Sequence, residues 1–545
     1  MDADLVMVGG GLSGLVVATE VAQRGKRVLL LEQEPYLGGQ AFWSFGGLFL
    51  VDSPEQRRLG VRDSVELAFQ DWMGAAGYDR EEDYWGRRFA EAYLEFAAGE
   101  KRAWLASLGV RFFPVVGWAE RGGGLATGHG NSVPRFHIVW GTGPGLLAPF
   151  LRKVEALKAE GTLRVLLRHR VEEVLVEGGK AVGVAGVVLE EDPKPRGAPT
   201  SRKAVGGFRF LAQAVVLATG GIGANLDLVR RHWPARMGRP PKRMLSGVPD
   251  HVDGSGLFLA ERAGARLVNL DRMWHYPEGV ENHTPIWTGH GIRILPGPSP
   301  LWVDATGKRL PPPLFPGFDA LETLRYLRST GFDWSWFILD LATLKKEFAL
   351  SGSEQNPDLT GKSWLGVVRN RLLGPAAPVR AFLERGKDFR VAQDLSELMR
   401  KMEALAPGVL DPGRLEREVK ARDRELLNPF AKDGQVLMVH AFRRYLGDRL
   451  FRVAKPHPFL SGKGPLVAVR LWTLTRKTLG GIQTDLKGRA LRPSGEPLPG
   501  LFAAGEAAGF GGGAFHGYKA LEGTFLGGCL FSGLQAAKGV LDGLE

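Results

Sequence analysis

The chain is poor in the features that announce several protein classes. It has one cysteine, Cys529, in 545 residues. That excludes intrachain disulfides, cysteine-ligated iron–sulfur clusters and a Cys-x-x-Cys-His haem site. It has no run of roughly 18 uncharged apolar residues, the length a membrane-spanning helix needs, so no membrane span is expected. Its first residues, MDADLVMV, carry neither a basic leader nor a twin arginine, and the expected location is cytoplasmic. The net charge is +12, but no long lysine or arginine block carries it. A generally basic surface is the reading favoured over a nucleic-acid site, and a basic cleft for an anionic substrate is the third option. There are no internal repeats or low-complexity tracts, and no metal site is expected. What is present is ordinary for a globular protein: 44% hydrophobic and 24% charged residues. The length exceeds what one compact core organises, so two domains are the default.

The informative stretch is Leu5 to Glu32. Leu5-Val6-Met7-Val8 is a short apolar strand, and Gly9, Gly11 and Gly14 follow on G-x-G-x-x-G spacing. An amphipathic run from Leu15 to Arg24 predicts a helix that Gly25 closes. A second strand, Val28 to Leu31, ends in Glu32, 21 residues past Gly11. This is a dinucleotide-binding fingerprint. Gly9 lets the strand turn, Gly11 clears the backbone for a pyrophosphate, and Gly14 lets helix and strand pack. The helix N-terminus points unpaired N–H groups at the phosphates. Glu32 can accept from both ribose hydroxyls and would repel a 2′-phosphate.

After Glu32 comes a glycine-rich loop, Pro35 to Gly47, with Phe42, Trp43 and Phe45 interleaved. Residues 62–108 read as mainly helical, with Trp72, Trp85 and Trp104 as anchors. Gly122 to Gly145 is a second glycine-rich connection carrying His129, His137 and Trp140, and a helix from Gly145 to about Glu160 follows. Residues 164–188 alternate as strands, 190–207 reads as an exposed hairpin loop, and Phe208 to Leu217 runs into Ala218-Thr219-Gly220-Gly221. No second dinucleotide fingerprint appears, so no NAD(P) site is expected. From about Asn269 the texture turns aromatic and proline-rich, with helices at Asp319–Ser329 and Leu415–Leu427. Near Pro465 strand-type segments return. This predicts one domain built from residues 1–269 and 466–545, with a second inserted at 270–465.

Together the motifs resemble the flavoprotein family of fumarate reductases, succinate dehydrogenases, L-aspartate oxidases and 3-ketosteroid Δ1-dehydrogenases. They are G-x-G-x-x-G, G-G-x-x-x-x-S-x-G-G at 38–47, A-T-G-G at 218–221, T-x-G-G at 478–481 and A-G-E at 504–506. The likeness is strongest to the soluble FAD-binding dehydrogenase branch. It implies an α/β, Rossmann-like FAD domain with an inserted α+β capping domain that contacts substrate. It implies that Gly39, Gln40, Ala41, Ser44, Gly46 and Gly47 line the pyrophosphate and isoalloxazine, with Thr219, Gly220 and Gly505 also at the cofactor. Val171 would meet the adenine and Glu506 the ribityl chain. Gly523 and Thr524 would aim a helix N-terminus at the flavin. Family members with covalent FAD attach it through a histidine in the loop matching 36–48. There is none here, so non-covalent FAD is expected.

The departures from the family bear on substrate. Fumarate reductases hold a dicarboxylate with two histidines and an arginine, and deliver a proton from a further arginine. His275 matches the first histidine, but Lys477 and Ala520 stand at the second histidine and the clamp arginine. Pro311-Pro312-Pro313 replaces the segment with the acid arginine. A carboxylate needs charge-assisted, preferably bidentate donors, so fumarate or succinate is disfavoured. Ketosteroid dehydrogenases polarise a carbonyl with a tyrosine in the region of 516–523. Tyr518 or Lys519 can do so here, with Gly523 N–H, and the alternative for Tyr518 is plain core packing. Glu522 is a base or a helix cap, His275 a substrate ligand or a satisfied core histidine, and Lys477 a holder of one anionic group or a surface cation. Tyr326, Tyr445 and Glu322 are candidate bases from the cap. The expected activity is hydride exchange between flavin and a carbon–carbon bond activated by a carbonyl or carboxyl group. A 3-ketosteroid Δ1-dehydrogenase-like enzyme, or a fumarate reductase/succinate dehydrogenase-type flavoprotein, is the specific alternative, and a flavoprotein electron carrier the non-enzyme one. The electron acceptor is open.

Overall fold

A computed structural model describes residues 1–122, 130–462 and 464–544. Of the residues read from sequence, His129 lies outside these. The N-terminal strand Ala3–Val8 pairs in parallel with Val28–Glu32 on one side and Ala204–Leu217 on the other. Leu163–Leu167 extends this sheet beyond Val28–Glu32, and Pro497–Ala503 joins Ala204–Leu217, both in parallel. The Val28–Glu32 strand, VLLLE, is buried at every position, as expected for a parallel strand covered on both faces. The helix Leu12–Ala22 is likewise buried on nearly all sides. It packs on the sheet and on the last helix, Phe525–Leu544; Gly533 there leaves room for Val16, and Ser13 Oγ donates to Cys529 O at 2.9 Å. The two ends of the chain thus close one domain.

The second sheet is largely antiparallel. Its order is Leu301–Asp304, Trp334–Asp340, Leu466–Thr478, Met273–Glu281, Gly291–Leu295 and Ala349–Leu350. Phe389–Ala392 and Leu245–Ser246 also pair with the Leu466–Thr478 strand. It has its own core of Val303, Phe337, Leu398 and Val467 among others. The boundary read at 465 is therefore corrected. The strand starting at Leu466 belongs to the second sheet, and the first resumes only at Arg489–Leu491. The return of strand texture at Pro465 was real, but strand texture does not tell which sheet receives the strand.

Expected helices appear with clear starts. Asp319 caps Ala320–Ser329 by accepting from Glu322 N at 3.0 Å, and Asp411 caps Pro412–Leu427. Trp72 is fully buried in a local core with Phe49 and Tyr93, while Trp85 and Trp104 are only partly covered. The 190–207 segment is not a free loop. Arg196 donates to Leu37 O at 2.6 Å, and Thr200 and Arg202 bond the Glu34 carboxylate, so it straps the loop after the second strand.

Candidate functional site

A cavity of about 380 Å³ takes lining from both sheets. On its first wall stand Gly9, Gly11, Glu32, Gly39, Gln40, Ala41, Ser44, Gly47, Val171, Thr219, Gly220, Gly505 and Glu506. The glycines differ in why they are glycine. A Cβ on Gly9, at φ +103°, would lie 2.3 Å from Ala218 O, and one on Gly14 would lie 1.9 Å from Gly9 O. Those two are required by the protein itself. A Cβ on Gly11 meets nothing nearer than Gly39 Cα at 4.0 Å. No protein atom forbids a side chain there, yet one would reduce the cavity, as a pyrophosphate cradle requires. Thr219 Oγ1 is buried with no hydrogen-bond partner on this wall, a polar atom that fits a ligand.

Two carboxylates mark the ends of this wall. Glu32 accepts from Gly10 N at 2.7 Å and Glu34 N at 2.9 Å, and burial pushes its carboxyl up to about 7. Glu506 accepts from Thr478 N at 2.9 Å and from Gln40 Nε2 at 2.7 Å. Lys477 Nζ donates to Gln40 Oε1 at 2.8 Å, which fixes the orientation of the amide between an acceptor and a donor. Burial lowers the Lys477 ammonium from its ordinary value.

The opposite wall is made of side chains. Tyr276 donates to Glu522, 3.0 Å from each carboxylate oxygen. Arg293 lies over the Tyr276 ring at 3.6 Å and pairs with Glu522 at 3.3 Å and Glu278 at 3.4 Å. Burial and the facing Glu522 charge keep the Tyr276 phenol well above its usual range, so it stays a donor. Burial opposes the charge on Arg293, but Glu278 and Glu522 outweigh it and hold the guanidinium protonated. Beside them Arg476 bonds Ser351 Oγ at 3.1 Å and Gly247 O at 3.0 Å, and no ion pair is formed by it among the described residues. Beyond this cluster the lining mixes apolar side chains, Phe113, Val115, Trp118, Phe348, Leu350 and Phe451, with polar ones, among them Lys345, Asn356, Asp358, Asn370, Arg371 and Arg452.

The FAD binding domain family matches residues 4–526. The chain belongs to that family. A KsdD-like steroid dehydrogenase of Mycobacterium tuberculosis is 58% identical over 100% of this chain and 97% of its own length. Among solved structures, the fold is similar to a 3-ketosteroid delta1-dehydrogenase from Sterolibacterium denitrificans in complex with 1,4-androstadiene-3,17-dione. The TM-score is 0.70 and the identity 18%, covering 99% of both chains. It is also similar to an open flavocytochrome c3 fumarate reductase, with TM-score 0.64 and 20% identity over 99% of this chain and 78% of that one. The protein is an FAD-binding oxidoreductase, and the expected α/β FAD-domain fold with an inserted cap is the fold it has. Among the described residues no helix is long and apolar enough to cross a membrane, and no cluster could hold a metal ion.

In this FAD-binding fold, some expected site residues serve from behind the cavity wall. Gly46, at φ +86°, packs against Thr142, and a Cβ would lie 2.6 Å from Thr142 Cα. Thr524 turns its hydroxyl to Leu521 O at 2.7 Å and His516 Nε2 at 2.8 Å, while Gly523 lines the cavity. Lys477 and Glu522 reach the cavity, but Tyr518 and His275 do not. Tyr518 N is pinned to Ala76 O at 2.8 Å, and the side chain points outward to Asp79 Oδ2 at 3.0 Å, with Arg272 and Arg236 against its ring. Its neighbour Lys519 pairs with Asp319 and Glu120. His275 sits on the far face of the Met273–Glu281 strand, where alternate side chains face opposite ways. It accepts from Arg476 N at 2.9 Å, stacks on Trp233, and is kept neutral by burial, which pushes it down to about 3.

None of the three cap candidates lines the cavity. Tyr445 donates to Val116 O at 2.6 Å, Glu322 pairs with Arg325 at 2.8 Å, and Tyr326 packs on the second core. The residues that sequence reasoning missed are Tyr276, Arg293 and Arg476. Strand parity held the signal for the first: of the adjacent His275 and Tyr276, only one can face inward. Arg293 had no local signal.

Proposed function

We propose that this protein oxidises or reduces a carbon–carbon bond next to the ketone of a steroid-sized, mostly apolar substrate. The single observation that carries this is the cavity's second wall. It sets one compact polar cluster, Tyr276–Glu522–Arg293 with Arg476 and Lys477, beside a broad apolar stretch of Phe113, Val115, Trp118, Phe348, Leu350 and Phe451, which is interspersed with Lys345, Asp358, Asn370 and Arg371. The KsdD-like relatives carry steroid dehydrogenase in their names, which points the same way.

When bound, FAD supplies a two-electron acceptor or donor that exchanges a hydride. It would lie against Gly11 and Gly39, with Glu32 on the adenosine ribose and Glu506 on the ribityl chain, held non-covalently. In the oxidising direction Glu522 takes the proton from the carbon beside the carbonyl, and in the reducing direction it returns one. Tyr276 and Arg293 aim that carboxylate. Arg476, with Gly523 N–H, meets the carbonyl oxygen as negative charge develops on it. The apolar wall excludes water and fixes the remaining rings. Fumarate fits poorly, because Ala520 and Lys519 stand where a clamp would be, and Lys519 is tied to Asp319 and Glu120.

The test is anaerobic titration of the holoprotein with saturated and unsaturated 3-ketosteroids, and with succinate and fumarate in parallel. Bleaching of the flavin band by a saturated ketosteroid, or reoxidation of the dithionite-reduced protein by an unsaturated one, is the expected result. A response to succinate or fumarate alone overturns the reading.

A further inference from the structure

The helix Trp364–Leu373 is turned inside out for a surface helix. Trp364, Leu365, Val368 and Leu372 recur at i, i+1, i+4 and i+8, which places them on one stripe. That stripe faces solvent: Leu365 is 81% exposed, Leu372 78%, and Trp364 and Val368 about half, with Leu373 beside them at 69%. Single exposed apolar residues need no explanation, but a contiguous stripe of this kind marks an interaction surface. Arg369 and Arg371 flank the stripe. Lys362, Arg369 and Arg380 are exposed around it, and the nearby acid Asp358 is turned to the helix, accepting from Asn370 Nδ2 at 2.9 Å. Across from the helix, Arg371 Nη1 donates to Phe451 O at 2.6 Å, and next to Phe451 Leu450 is 53% exposed, with Arg449 beside it.

We propose that this face docks the protein on an anionic lipid bilayer. Apolar side chains with a cationic rim suit the headgroup boundary, where each basic residue gains from the negative surface. The same charge argues against a second copy of the chain as occupant, since a self-paired face would set Lys362, Arg369 and Arg380 against cations of the other copy. The position gives the docking a use. The inner side of the helix, through Val367, Asn370 and Arg371, lines the cavity. A substrate dissolved in the bilayer would meet the protein at the end of the cavity that the apolar wall forms. That use rests on the apolar-substrate reading, whereas the docking does not.

The experiment is flotation of the FAD-loaded protein with vesicles of phosphatidylcholine alone, and with about 30% phosphatidylglycerol added. Wild type is expected to float with the anionic vesicles, weakly with the neutral ones, and less at high salt. The triple variant Leu365→Ser/Leu372→Ser/Leu373→Ser should partition at least about tenfold less, with flavin absorbance and melting temperature unchanged, because exposed side chains carry little of the fold. Arg369→Glu should lose the preference for anionic vesicles. Failure of wild type to bind anionic vesicles overturns the proposal, as does equal binding by the triple variant. A wild-type dimer that the triple variant dissociates, with no vesicle binding by either, also overturns it. Because flotation needs no turnover, its outcome stands apart from that of the ketosteroid titration.

Discussion

On the dinucleotide side of the cavity the decisive positions are backbone ones. Gly9 and Gly14 permit close approach, Gly11 leaves room, and two carboxylates stand at the ends. On the facing side the decisive groups are side-chain tips, brought together from a strand at 276, a strand at 293, a strand at 476 and a loop at 522. The first wall suits a ligand of constant shape. The second can be rebuilt by exchanging tips while the strands stay, so that one fold can carry different chemistries.

That contrast can be broken most sharply at Glu522. Glu522→Gln should lower kcat by about 10²–10⁴-fold while FAD content stays stoichiometric. Near-normal turnover, or loss of the flavin, would move Glu522 to the other wall. Glu32→Gln should do the reverse, weakening FAD binding by about 10–100-fold with little change in kcat once saturated. The same residue predicts a pH dependence. Burial, aided by the Glu34 charge and opposed by the backbone N–H groups, raises its carboxyl to about 7, so in the unliganded protein its favourable contribution to stability is present at low pH and fades as pH rises through about 7. Ribose hydroxyls favour the ionised form, so FAD affinity should rise through that range and level off above it. Fluorescence titration of apoprotein with FAD between pH 5.5 and 8.5 (roughly 7 ± 1.5, spanning the Glu32 titration) should show this slope in wild type and none in Glu32→Gln. Tyr276→Phe removes one hydrogen bond from Glu522, and kcat should fall about tenfold with KM nearly unchanged. Tyr518→Phe should change kcat by less than about twofold, because its hydroxyl serves only Asp79 at the surface. A large loss there would reinstate Tyr518 as a carbonyl ligand.

The two walls also differ in how far they could be read from sequence. Gly9, Gly11, Gly14 and Glu32 sit within one βαβ unit, where spacing and geometry are nearly the same thing. Gln40, Glu506 and Lys477 came through family resemblance, and the structure brings all three to one hydrogen-bonded chain. The substrate side was harder, because its residues meet only through strand pairing across the second sheet. The family resemblance points to His275, yet one residue of strand parity separates inside from outside, and it is Tyr276 that faces the cavity. Tyr518 was placed by its loop, but a loop's direction depends on the Ala76 contact that no local pattern encodes. The 465 boundary failed for a related reason: a strand does not name its partner.

That shared strand, Leu466–Thr478, has a mechanical meaning. It runs through the middle of the cap sheet, and its last residue donates its N–H to Glu506 and accepts from Ile222 N on its hydroxyl oxygen, both partners being in the other domain. Cap and base thus share a continuous strand, in addition to the pairing of Leu245–Ser246 and the ion pairs that cross between them. A rigid-body swing of the cap would therefore strain the Thr478 bonds to Glu506 and Ile222 on the glycine-lined wall of the cavity.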